Sequence, residues 1–165
     1  MRVLRTVVII AALAAAAFVG YRLVRRPSAP NGLAVYYCKT DGDTLASWRV
    51  SVNPNATDAK SVAFYAAAQA VAGPPPDVDA IRFPTGTIVR AVAVSGSTAT
   101  VNLAGAIDRN QNGSFAESGE FKALVWTLTA LPGVRAVQVT IDGARVPTLP
   151  GGHLELDEPL TRQSW

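Results

Sequence analysis

Seven segments of this chain carry a clear hydrophobic pattern, and their order predicts a fold. Residues 33–38 (LAVYYC) form a β-rich apolar run, and residues 44–52 (TLASWRVSV) form a weaker one beyond the turn signal Asp41-Gly42. Together they predict an opening hairpin. Thr57 or Asp58 can then cap a helix to about Val71, with Val62, Tyr65, Ala66 and Gln69 on one side and Phe64, Ala67, Ala68 and Val71 on another. The run Gly73-Pro74-Pro75-Pro76 stops it, because consecutive prolines supply no backbone N–H for a helix. Residues 87–94 and 97–103 flank Ser95-Gly96 and read as a tight hairpin. Its second strand puts Ala99, Val101 and Leu103 on a core face and Thr98, Thr100 and Asn102 on a face turned to water. Phe121, Leu124, Val125, Leu128 and Leu131 recur at helical spacing before Pro132-Gly133. A last strand over 134–141 places Val137, Val139 and Ile141 opposite Ala136, Gln138 and Thr140. The order β-β-α-β-β-α-β predicts an α+β domain in which two helices cover one face of a small mixed β-sheet.

Ahead of this domain lies a different pattern. Residues 7–21 (VVIIAALAAAAFVGY) carry no charge and are bracketed by Arg2 and Arg5 on one side and Arg22, Arg25 and Arg26 on the other. As a helix the run is about 22 Å long, and with Arg22 snorkelling it extends to Val24 and nearly spans a hydrocarbon layer of roughly 30 Å. Residues 1–26 are therefore expected to be a signal anchor or a signal peptide that places the domain outside the cytoplasm. The anchor is preferred because apolar residues continue past the alanines through Phe18, Val19 and Tyr21. A stiff polar linker, residues 27–32, joins the segment to a domain over 33–165.

This division changes the meaning of the charge. The 165 residues sum to +3, yet residues 1–26 hold five arginines and no acid, leaving ten bases against twelve acids in residues 27–165. A slightly acidic domain without clustered Lys/Arg is not expected to bind nucleic acid. One cysteine, Cys38, and one histidine, His153, exclude an intrachain disulfide and any Cys/His zinc site.

Several short motifs, in order, give the chain a likeness to a known family. They are Ala72-Gly73-Pro74, Phe83-Pro84-Thr85-Gly86-Thr87, Ala99-Thr100-Val101-Asn102-Leu103, Ala123-Leu124-Val125-Trp126-Thr127-Leu128-Thr129, Leu131-Pro132-Gly133-Val134 and Val139-Thr140-Ile141-Asp142-Gly143. Over roughly residues 33–162 the chain resembles the GerMN domain of sporulation, germination and other bacterial envelope proteins. The resemblance implies a non-catalytic extracytoplasmic domain, without cofactor, whose fold is like the ring-building motif of large secretion and sporulation assemblies. It also implies partners among other envelope proteins or copies of itself, with residues 7–24 in the inner membrane. The chain departs from that pattern in showing one copy, no lipobox cysteine and no appended enzyme.

Other chemistry competes with this reading. Asp108, Asn110, Asn112 and Ser114 match the front half of a calcium loop, while Gly119 stands where a bidentate acid is wanted. A turn with a Ser114/Glu117 capping box accounts for the same residues. This loop and nearby aromatics are the alternative site, for Ca2+, a small ligand or a cell-wall fragment. Glu117 and Glu120 as an acid/base pair would make a hydrolase, but carboxylates at an exposed helix start are favoured by the dipole alone. Cys38 is expected to be a buried thiol and His153 a surface residue. Tyr36, Tyr37, Trp48 and Trp126 are either core or the lining of a groove.

Overall fold

The computed structural model describes residues 32–52, 55–109, 113–149 and 152–165. The segment read as an anchor or signal, and most of the linker, lie outside the described residues. The compact unit is Gly32–Trp165. Among the described residues no helix is long and apolar enough to cross a membrane.

The elements are β1 (Leu33–Cys38), β2 (Leu45–Val50), α1 (Ala59–Ala72), β3 (Thr87–Ser95), β4 (Thr98–Gly105), a 3-10 turn (Ala106–Arg109), α2 (Gly113–Thr129) and β5 (Ala136–Ile141). The expected α+β class and element order hold. Asp58 caps α1, its carboxylate accepting the Ser61 N–H at 2.9 Å and the Ser61 hydroxyl at 2.6 Å. These bonds hold the Asp58 carboxyl below the usual carboxylate range.

The strands divide into two sheets instead of the single one expected. β3, β4 and β5 form a mixed sheet with β4 in the centre, antiparallel to β3 and parallel to β5. The parallel pair needs a long crossover, which α2 provides. β1 and β2 pair only with each other. The contact that holds this pair apart is long-range in sequence: the Tyr36 N–H on β1 donates to Thr127 Oγ1 on α2 at 2.9 Å, so the hairpin leans on the helix and not on the larger sheet.

One apolar core joins these layers. Ala63, Ala66, Ala67 and Ala70 let α1 approach the sheet closely, and Phe121, Leu124, Val125 and Leu128 of α2 share one core with Val101, Leu103 and Val139. Phe121 meets Phe83 edge to face at 5.6 Å between ring centroids, pinning the loop that follows the prolines to α2. Gly105, at φ +79°, lies so close to the Gly86 carbonyl that a Cβ there would collide with it.

The pattern fails after β5. The described residues of 144–165 contain no helix or strand, yet Leu149, Leu156 and Leu160 are buried among them. This segment is a strap laid along β5. Val137 and Leu160 exchange both backbone hydrogen bonds at 2.8 Å, and Gln138 Nε2 donates to the Leu156 carbonyl at 2.8 Å. Gln138 and Thr140, on the face opposite Val137, Val139 and Ile141, are buried as well.

Phe121→Ala should lower the unfolding free energy of residues 32–165 by about 3–5 kcal/mol, read by urea denaturation. A loss under about 1 kcal/mol would show that the two layers are not joined through this ring.

Candidate interaction surface

The sites suggested by sequence are dispersed by the fold. Cys38 is fully buried, its thiol donating to the Gly42 carbonyl at 3.2 Å. Burial pushes that thiol up from its ordinary range. Since the neutral form is the one favoured in the fold, this contribution to stability is lost only as pH rises through the elevated pKa.

Glu117 and Glu120 are not at an exposed helix start. Both are buried, at 2% and 1% exposure, and Glu117 lies directly under the strap. Glu117 Oε2 accepts the His153 backbone N–H at 2.8 Å, while its Oε1 is buried without a hydrogen-bond partner among the described residues. Gly152 sits against that carboxylate so tightly that a Cβ would strike it. The Glu117 side chain therefore clamps the strap and does not close a capping box. His153 has an exposed side chain, as expected, but its backbone is committed to the clamp.

Of the calcium-loop residues, Asp108 lies in the 3-10 turn and Ser114 in the exposed first turn of α2. Asn110 and Asn112 lie outside the described residues. Among the described residues no three Asp, Glu, His or Cys side chains gather to hold a metal ion.

The aromatics have definite places. Trp126 meets Trp165 edge to face at 5.7 Å, and the Arg162 guanidinium stands over its ring at 5.6 Å, so this end of the strap is clasped to α2. Trp165 Nε1 adds a bond to Ser118 Oγ at 2.9 Å. Tyr37 and Trp48 touch across the first hairpin at 5.7 Å. Trp48 also lines a groove of 710 Å³ together with Pro74, Pro75, Phe83, Pro84 and Thr85. Two motifs ten residues apart thus build one wall, braced by Arg82, which donates to the carbonyls of Pro74 at 2.6 Å, Pro75 at 2.7 Å and Val78 at 3.0 Å.

Sequence reasoning missed the surface next to β3. No strand among the described residues pairs with the outer edge of β3. A groove of 580 Å³ runs there, walled by Lys60, Phe64 and Tyr65 of α1 and by Arg90, Ala91 and Val92 of β3. Ala91 points to the outer face of the sheet and Val92 to the core, so a groove touching both follows the strand's open edge. Phe64 is 40% exposed on its rim, and Ile88 is 51% exposed near the start of the strand. Arg90 is drawn to Asp142 at 3.0 Å across a bulge between Val89 and Ala91. Edge, groove and exposed apolar side chains together are the makings of a strand-addition site.

Glu117→Ala should cost about 2 kcal/mol and open the strap to protease near residue 152, while Glu117→Gln, which keeps an acceptor, should change both little. Equal behaviour of the two variants would remove the clamp. A thiol reagent should label Cys38 only on unfolding; prompt labelling of the native protein would contradict its burial.

Residues 34–147 match the family model Germane, described as sporulation and spore germination. No curated protein matches the chain. Among solved structures, the first GerMN domain of the sporulation protein GerM from Bacillus subtilis is 18% identical, with a TM-score of 0.60 over 80% of this chain and 98% of that one. The tandem GerMN domains of the same protein are 19% identical, with a TM-score of 0.57 over 81% of this chain and 46% of theirs. A candidate lipoprotein from Clostridium perfringens is 16% identical, with a TM-score of 0.54 over 80% of this chain and 87% of its own. At these identities the likeness concerns the fold, and it is the match over residues 34–147 that settles membership: the chain belongs to the GerMN (Germane) family of sporulation and spore germination.

Proposed function

We propose that this protein is a non-catalytic module of the bacterial cell envelope that works by protein–protein contact or assembly, and that the contact is made by strand addition at β3. The open β3 edge beside its groove carries this reading. An extended partner segment placed there gains main-chain hydrogen bonds from the edge and apolar contact from Phe64. Glu117, one of the two carboxylates considered as an acid/base pair, is buried and engaged with the strap. Membrane attachment through residues 7–24, with the domain outside the cytoplasm, agrees with the arginine-flanked apolar run and with the sporulation protein and candidate lipoprotein that share the fold.

A photo-crosslinking residue at Ala91 in the full chain, expressed in its own envelope, should give discrete protein adducts. The same residue at Glu158, exposed on the strap, should give none. Adducts from Glu158 but not from Ala91 would place the contact elsewhere and overturn the reading.

A further inference from the structure

We infer that the strand received at β3 belongs to a second copy of this chain, paired β3 to β3 about a two-fold axis, and that the strap holds self-assembly at this closed dimer. The inference rests on the strand-addition reading above and names its partner.

The sheet is asymmetric. A domain with two open edges can add copies head to tail, edge β3 to edge β5, and such heterologous contacts grow into rings or open fibres. Here the β5 edge is met by its own chain at two points, with Val137 and Leu160 bonded in both directions and the Ile141 N–H donating to the Ala144 carbonyl. Within this sheet, the pairing left for copies of this chain is β3 with β3, an isologous contact that closes after two subunits.

The surface is matched to itself. Asp58 and Lys60 stand on the α1 wall, while Arg90 on the β3 wall is neutralised by its ion pair with Asp142, which follows β5 and does not line the groove. Two acids and two bases leave no net charge to repel an identical face or to select a strongly charged partner. The bulge between Val89 and Ala91 leaves Ala91–Ser95 as the longest unbroken run of β3, with Ala93 at its centre. Ala91, Ala93 and Ser95 are exposed and small on the outer face, so a second strand meets no bulky side chain there. Five residues of strand and one rim phenylalanine bury far less than a standard stable interface, so the dimer is weak and dissociates on dilution.

The compact unit of residues 32–165, which holds the whole core, is the material for the test. Sedimentation equilibrium up to millimolar protein should show a reversible shift from one to two chain masses and no larger species. Ala93→Cys should form a disulfide-linked dimer under mild oxidation, whereas wild type, with Cys38 buried, should not. Ala93→Lys should stay folded by circular dichroism and remain monomeric. A wild-type monomer at every concentration overturns the inference, as does growth beyond two chains, or a dimer that survives Ala93→Lys and does not link through Ala93→Cys. If the wild type is monomeric while Ala91 still crosslinks to another envelope protein, strand addition stands and only the identity of the partner falls. If Ala91 gives no adduct either, both fall.

Discussion

Two backbone hydrogen bonds between Val137 and Leu160 decide which surfaces this domain has to offer. A strand at the rim of a sheet carries a row of unpaired donors and acceptors, and folded proteins cover such a row or use it. Here the chain covers β5 with its own last residues. The cover is held at several points: Glu117 takes the His153 N–H, Gln138 reaches the Leu156 carbonyl, Arg162 and Trp165 enclose Trp126, and three leucines are buried along the way. Once β5 is closed, β3 is the rim of that sheet still available to a partner, and the asymmetry of the surface follows.

α2 makes this arrangement possible. It supplies the crossover that brings β5 parallel to β4, takes the first hairpin on one side through Tyr36 and Thr127, and receives the strap on its first turns. A helix covered by so many neighbours has little wet surface left, which is why Glu117 and Glu120 are buried where an isolated helix start would expose them. A lone buried carboxylate is costly unless bonded, and Glu117 offsets part of that cost by fixing the strap.

What could be read from the residues follows the range of the interactions concerned. The α1 cap at Asp58, the turn at Ser95-Gly96, the alternating β4 and the apolar stripe of α2 are local or periodic, and they appear in the structure where the pattern puts them. The family motifs were equally plain, since they are local strings. The division into two sheets depends on a bond between residues 36 and 127, and the clamp on one between residues 117 and 153; neither leaves a periodic trace. The strap was missed for a related reason. Its leucines, at 149, 154, 156 and 160, follow neither a helical nor a strand repeat, because an irregular segment is placed by what it covers. The alternation of β5 correctly separated its two faces but could not show that Gln138 and Thr140 would be roofed over. The signal for the open edge at β3 was absent altogether, since edge status belongs to strand order and not to any one strand's sequence.

The central claim is that the three-stranded sheet has one closed rim and one open rim, and amide hydrogen exchange by NMR on residues 32–165 tests it most directly. The account predicts that the Val137 and Leu160 amides exchange with protection close to that of the β4 core amides at any concentration. Outward-facing amides of Ala91–Ser95 should exchange quickly in dilute protein and gain protection as concentration rises. Rapid exchange at Leu160, or full protection of β3 in dilute protein, would contradict it.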